Sequence, residues 1–153
     1  QFFGETNQSV NQKVKAALES DLVPIVCVGE MLEDRESGKT KKVVTNQLVD
    51  GIDGLSKTDI LRTIIAYEPV WAIGTGKTAS PDQAQEVHSL IRSVIATSYS
   101  DQIAESVRIQ YGGSVNPSNA AELLSKPDVD GALVGGASLD ADSFAEIVRA
   151  SHQ

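Results

Sequence analysis

The segment Thr63-Ile64-Ile65-Ala66-Tyr67-Glu68 is a short, mainly apolar run that ends on a carboxylic acid. Pro69 stiffens the exit from this run, and the glycine-rich loop Gly74-Thr75-Gly76-Lys77 follows shortly afterwards. A β-branched run of this length, bounded by a turn signal, predicts a buried strand near residues 63–67. An acid at the end of such a strand lies on the side of a parallel sheet where sites are found. Glu68 is therefore a candidate catalytic residue, although its position alone also fits a solvated loop acid.

Three further apolar runs repeat this pattern along the chain. They lie near residues 23–28, 107–111 and 131–134, and a glycine or a pair of glycines follows each of them. Amphipathic stretches that predict helices separate the runs, near residues 9–20, 40–53, from 80 onwards, near 116–124 and near 141–150. Strands that alternate with helices imply parallel pairing with right-handed crossovers. We therefore predict one α/β domain with four parallel strands alternating with helices.

Three local details sharpen this prediction. The run 23–28 is continuously apolar, as in a strand buried on both faces, so we expect Cys27 to be a small core residue rather than a nucleophile. Ser80, Pro81 and Gln83 have the order expected of a helix N-terminus with a capping box. Asp128 and Asp130 flank the start of the fourth strand and are read as turn residues.

Composition restricts the classes of function that fit the chain. Its 153 residues carry a formal net charge of -8, which disfavours nucleic-acid binding. A small anion is not excluded, because backbone N–H groups can bind one without net positive charge. The single cysteine permits no intrachain disulfide and fits a reducing compartment. The chain has no apolar run of the ~20 residues needed to cross a bilayer and no signal-peptide pattern, so we expect a cytoplasmic protein that binds no membrane.

The glycine-rich segments permit several interpretations. Residues 74–79 fit the dinucleotide fingerprint G-x-G-x-x-A, but residues 68–73 separate them from the preceding strand, where that fingerprint should begin. A phosphate-binding P-loop is disfavoured because Trp71 occupies the position of its first glycine. The pairs Gly112-Gly113 and Gly135-Gly136 fit tight turns, or they fit N–H groups that converge on one anion. In (β/α) barrels a phosphate often lies on the last two such loops.

The two histidines are poor catalytic candidates. His88 lies within a predicted helix and His152 lies in the terminal tail, so neither is at the end of a strand.

The longest motif, Ala66-Tyr67-Glu68-Pro69-Val70-Trp71-Ala72-Ile73-Gly74-Thr75-Gly76-Lys77, resembles the signature strand and lid of the triosephosphate isomerase family. Four other motifs match that family in the same order, and together they cover essentially the whole chain. They are Phe3-Gly4-Glu5-Thr6, Val26-Cys27-Val28-Gly29-Glu30, Tyr111-Gly112-Gly113-Ser114-Val115 and Asp130-Gly131-Ala132-Leu133-Val134-Gly135-Gly136-Ala137-Ser138-Leu139. The resemblance implies that residues 1–153 form a single partial domain, the C-terminal half of a (β/α)8 TIM barrel, without the N-terminal βα units.

The resemblance also implies an activity and a set of site residues. The family interconverts dihydroxyacetone phosphate and glyceraldehyde 3-phosphate through an enediolate, in glycolysis and gluconeogenesis, with no cofactor and no metal. Glu68 would be the catalytic base, and the substrate phosphate would be held by Gly74, Ser114, Gly135 and Gly136. The lid and its partners would be Pro69, Val70, Trp71, Ala72, Ile73, Gly74, Thr75, Gly76, Lys77, Thr78 and Ala79, with Glu30, Tyr67 and Tyr111. Glu30 and Tyr67 would be alternate partners of Trp71, and Tyr111 and Ser114 would grip the lid through Ala79 and Gly76.

The family's electrophilic histidine and its active-site asparagine and lysine precede the part of the barrel that this chain resembles. Lys77 lies in the lid and cannot take over the lysine's role. We therefore expect the isolated chain to be inactive or nearly so, and to pair with an N-terminal half or with itself; the family is usually a homodimer. Two alternatives remain, a non-catalytic phosphate-binding half-barrel and a different phosphosugar enzyme on the same barrel.

Overall fold

The computed structural model describes residues 4–73 and 77–151, and within them four parallel strands form one sheet in chain order. Neighbouring strands pair in parallel along the whole sheet, for example Val26 with Ile65 and Tyr67 with Tyr111. The strands are β1 (Ile25–Val28), β2 (Ile64–Tyr67), β3 (Ile109–Tyr111) and β4 (Gly131–Ala132). The predicted α/β fold is confirmed, and it is consistent with part of a TIM barrel.

Helices precede, separate and follow these strands in the described residues. None of them is both long enough and apolar enough to cross a membrane. Two short 3₁₀ helices, Val70–Ala72 and Gly136–Leu139, follow β2 and β4. The α-helices are α1 (Asn7–Glu19), α2 (Leu32–Glu36), α3 (Thr40–Gly51), α4 (Lys57–Leu61), α5 (Pro81–Ser98), α6 (Asp101–Ser106), α7 (Pro117–Leu124) and α8 (Ala141–Ala150).

Side-chain caps fix where the longer helices start. The Ser80 hydroxyl accepts from the Gln83 backbone N–H, and the Gln83 side chain accepts from the Ser80 N–H, which completes the predicted capping box of α5. Asn116 caps α7 in the same reciprocal way. The short helices α2, α4 and α6 were not predicted, because five or six residues show too little periodicity. The caps Ser56 and Ser100 are the local signals that could have found α4 and α6.

The prediction that the run 23–28 is buried on both faces is wrong. Val26 and Val28 are 2% exposed, whereas Ile25 is 43% exposed and Cys27 is also exposed. Successive side chains of a strand point to opposite faces, and in the described residues the helices cover one face of β1 only. Cys27 is therefore not a core residue, and it lies on the open face of the sheet beside Glu68. A cleft of about 590 Å³ lies along β1, and α1, β1 and Glu68 contribute to its lining.

Candidate active site

Glu68 follows β2 directly and lies between the ends of the two neighbouring strands. Its backbone N–H donates to the Val28 carbonyl at 2.8 Å, which continues the pairing of β1 and β2 by one residue. A Cβ atom on Gly29 would lie 1.7 Å from the Glu68 carbonyl oxygen, and one on Gly112 would lie 2.6 Å from the Glu68 Cγ. Glycine is therefore required on both sides, because Gly29 leaves room for the Glu68 backbone carbonyl and Gly112 leaves room for its side chain.

The surroundings of Glu68 make it a stronger proton acceptor than a solvated glutamate. Burial raises the pKa of its carboxyl group, and a hydrogen bond from the Cys27 side chain opposes that rise. Burial, and then the negative charge of Glu68, raise the pKa of the Cys27 thiol to about 12. The thiol therefore stays protonated and donates to the carboxylate. A partly buried carboxylate beside a cleft, with a raised pKa, suits general-base chemistry.

The first part of the predicted lid is attached to a buried carboxylate. Trp71 Nε1 and Tyr67 Oη each donate to Glu30 Oε1 at 3.1 Å, and Glu30 is fully buried. Arg35 Nη1 lies 3.5 Å from the same oxygen, and its guanidinium lies 5.9 Å from the centre of the Trp71 ring. The Val70 N–H also donates to the Glu30 backbone carbonyl. The structure thus brings together Trp71 and both of the partners named for it.

Both described parts of the predicted lid contact the end of β3 or the loop that follows it. The Ala79 N–H donates to Tyr111 Oη at 3.3 Å, and Ser114 Oγ donates to the Ala72 carbonyl at 2.9 Å. A Cβ atom on Gly113 would lie 2.2 Å from Tyr111 Oη, so only glycine leaves room for that hydroxyl.

The remaining lid residues differ in their surroundings. Pro69 and Ala72 are buried, whereas Ile73, Lys77 and Thr78 are exposed. Gly74, Thr75 and Gly76 lie outside the described residues. The expected Gly76 contact and the Gly74 phosphate role therefore stay predictions.

Three of the four predicted phosphate-binding residues follow adjacent strands. Ser114 comes after β3, and Gly135 and Gly136 come after β4. Because β3 pairs with β4, and the Leu133 N–H extends that pairing to the Tyr111 carbonyl, the two loops leave the sheet side by side. Both glycines are exposed, and the 3₁₀ helix Gly136–Leu139 begins at the second of them.

Residues 4–73 and 77–151 contain no group of three or more His, Cys, Asp or Glu side chains that could hold a metal ion.

Sequence reasoning missed one residue beside this site. His88 of α5 is fully buried, and its ring centre lies 5.9 Å from that of Tyr67 and 6.3 Å from that of Tyr111. Burial lowers the pKa of its imidazole to about 4, so the ring is neutral near pH 7. The signal in the sequence was its place on the apolar stripe of α5, one turn after Ala84.

The parallel sheet, with a carboxylate at a strand end and glycine loops beside it, defines an α/β protein of the TIM-barrel type. The family model described as triosephosphate isomerase matches residues 1–151, and the chain belongs to that family.

Relatives named triosephosphate isomerase match the chain over nearly its whole length. The one from Citrifermentans bemidjiense is 62% identical over 151 residues, which are 99% of this chain and 60% of the relative. The one from Chlorobaculum tepidum is 59% identical over 151 residues, 99% of this chain and 61% of the relative. The one from Fusobacterium nucleatum is 56% identical over 152 residues, again 99% and 61%. The chain thus spans about three fifths of the length of the relatives it matches.

Proposed function

We propose that this chain supplies the catalytic base, the lid and the phosphate-binding loops of a triosephosphate isomerase. The reaction is the interconversion of dihydroxyacetone phosphate and glyceraldehyde 3-phosphate, as part of glycolysis and gluconeogenesis. The observation that carries the proposal is Glu68 at the end of β2, enclosed by Gly29 and Gly112. Family membership supports the choice of reaction.

In this proposal Glu68 moves the proton. It removes a proton from the carbon beside the substrate carbonyl, which leaves an enediolate, and it returns a proton to the adjacent carbon. A positioned general base of this kind contributes ~10²–10⁴-fold to the rate. The raised pKa of the carboxyl group supports this role, because it strengthens the affinity of the carboxylate for the transferred proton.

The substrate phosphate binds to Gly74, Ser114, Gly135 and Gly136, largely through backbone N–H groups. Backbone donors explain how a chain of net charge -8 can bind a dianionic ligand. Residues 69–79 form the lid, which excludes water and keeps the enediolate from losing phosphate. Loop closure of this kind is a recognised step in enzymes, and this family's lid is a standard example of it.

In this proposal residues 1–153 supply only part of the catalytic centre, because the resemblance places the electrophilic histidine and the active-site asparagine and lysine in earlier βα units of the barrel. An enediolate requires hydrogen-bond donors on its oxygens, and losing one such donor costs ~10²–10³-fold in rate. The open face of β1 and the cleft beside Glu68 support a partner at this position, either an N-terminal half of the barrel or a second copy of the chain.

No cofactor or metal takes part in the proposed reaction. The single cysteine, Cys27, fits a cytoplasmic location.

A complementation assay tests the proposal. The chain is assayed for isomerase turnover alone and after refolding with the N-terminal two fifths of the Citrifermentans bemidjiense relative. We expect turnover only in the mixture, and we expect Glu68→Gln to lower it by ~10²–10⁴-fold while phosphate binding survives. Lys41→Gln on the exposed surface of α3 is the control and should leave turnover unchanged. A stable complex that binds phosphate but shows no turnover would instead indicate a non-catalytic phosphate-binding half-barrel.

A further inference from the structure

Three buried aromatic rings meet where α5 packs against the sheet. Besides the two His88 contacts, the ring centres of Tyr67 and Tyr111 lie 6.3 Å apart, so each ring contacts the other two. All three residues are 0% exposed. We call His88, Tyr67 and Tyr111 the aromatic triad.

The two tyrosines of the triad connect to opposite ends of residues 69–79. Tyr67 Oη shares Glu30 Oε1 with Trp71 Nε1, near the start of that segment. Tyr111 Oη accepts from the Ala79 N–H, at its end. One imidazole therefore contacts two of the side chains that hold the segment, one near each end, although His88 itself contacts neither end.

A single hydrogen bond sets the orientation of the His88 ring. Its Nδ1 lies 3.0 Å from the Asp128 backbone carbonyl, and because a carbonyl only accepts, Nδ1 carries the proton. Among the described residues, the buried Nε2 has no hydrogen-bond partner. An apolar side chain would fill this space without leaving a nitrogen unpaired. What the histidine adds is a flat ring held at a fixed angle by the Asp128 bond.

We propose that His88 is a positioning residue for the lid: its ring sets the spacing of Tyr67 and Tyr111, so that Tyr67, through Glu30, and Tyr111 hold the two ends of the lid together. The inference rests on the proposed role of residues 69–79 as a lid and adds a residue on α5 that controls it. His88 touches no substrate in this proposal and acts only through the two tyrosines.

Trp71 provides a direct readout, because it is the only tryptophan of the chain and lies in the lid. Acrylamide quenching of its fluorescence reports how often it leaves its site beside Glu30, and it requires no turnover. His88→Leu removes the ring and the Asp128 bond, whereas His88→Phe keeps a ring. Ile95→Val lowers the stability of the same helix from another fully buried position, and it is the matched control.

We expect His88→Leu to lower the ratio of docked to undocked Trp71 by about 2- to 10-fold, the range expected for losing aromatic pair contacts. His88→Phe should keep Trp71 nearly as well protected from acrylamide as it is in the wild-type chain. Ile95→Val should leave the quenching of Trp71 unchanged. In a chain that already carries Tyr67→Phe and Tyr111→Phe, adding His88→Leu should change quenching little. The two hydroxyls through which His88 acts on the lid are absent from that chain.

Two outcomes would overturn the proposal. One is wild-type quenching in folded His88→Leu, and the other is an equal rise in quenching in Ile95→Val at a similar loss of stability. If His88→Leu does not fold, His88→Gln keeps a donor for the Asp128 carbonyl and lacks a ring, and the same comparison applies to it. Because quenching is measured on this chain alone, failure here is distinct from failure of the proposed isomerase reaction in the complementation assay.

Discussion

At the scale of single residues, the site depends on side chains whose pKa is shifted by burial. Glu68 is half-buried beside the Cys27 thiol, and His88 is fully buried with one nitrogen bonded to Asp128. Burial disfavours the charged form of each group, so it raises the pKa of the carboxyl and lowers that of the imidazole. The protonation states of Glu68 and His88 therefore depend on how tightly the surrounding residues pack against them.

His88 makes the stability of the chain depend on pH. Its pKa is about 4 in the folded chain, against an ordinary value of 6.5. Between these values the unfolded chain binds a proton that the folded chain does not bind, so the free energy of unfolding falls as the pH is lowered. The loss begins near pH 6.5, ends near pH 4 and amounts to about 3 kcal/mol from this group.

Urea denaturation between pH 4 and pH 7 measures this dependence. His88→Phe should lose less stability across the window than the wild-type chain, because carboxylates titrate in both proteins and the imidazole titrates in one. Equal losses in the two proteins would assign the pH dependence to other groups.

At the scale of elements, α5 connects the lid to the sheet. Its N-cap Ser80 follows Ala79, which contacts Tyr111, and its buried face carries His88. On the same helix, Arg92 donates to Asp128 and Asp130 at 2.7 and 2.8 Å. Both aspartates precede β4, and Asp128 lies in a turn as predicted whereas Asp130 does not. Each of them also accepts from Arg92, on a helix more than thirty residues away in the chain. Helix α5 thus begins directly after the end of the lid and contacts the segment that precedes β4.

Removing the cap of α5 should destabilise the chain. Ser80→Ala takes away the acceptor for the Gln83 N–H and should lower the free energy of unfolding by about 1 kcal/mol. Ser93→Ala, on the exposed side of the same helix, is the control and should be neutral or slightly stabilising, because alanine favours helix. Thermal or urea unfolding followed by circular dichroism measures both variants. A loss in Ser93→Ala as large as that in Ser80→Ala would contradict the capping argument.

At the scale of the whole molecule, the apolar surface is unevenly covered. Val23 and Leu61 are 57% and 46% exposed, and Leu139 is 90% exposed. Phe144 and Val148 of α8 are also more than 40% exposed. Large apolar side chains left exposed in this number favour association. This fits a chain that spans about three fifths of the length of its relatives.

We expect the isolated chain to self-associate as its concentration rises. Sedimentation velocity should show a shift to larger species, and Ile25→Lys on the open face of β1 should reduce that shift without unfolding the chain, since Ile25 is 43% exposed. Lys41→Glu, on the exposed surface of α3, should leave it unchanged. A monodisperse monomer with sharp, cooperative unfolding at every concentration would contradict this expectation.

The amino-acid sequence by itself determined the order of the strands and the longer helices, the parallel sheet, the capping of α5 and the placement of Glu68 beside glycine loops. These features follow from local patterns: apolar periodicity, cap residues, and glycine after each strand. Only the tertiary structure decided that Cys27 lies on the open face of β1 beside Glu68 and that His88 contacts both Tyr67 and Tyr111. A continuously apolar sequence predicts a strand, but it does not show whether other elements cover one face of that strand or both, because that depends on what packs against the sheet. The position of His88 on the apolar stripe of α5 likewise predicts that it is buried. Its partners come from β2 and β3, at positions that no local pattern specifies.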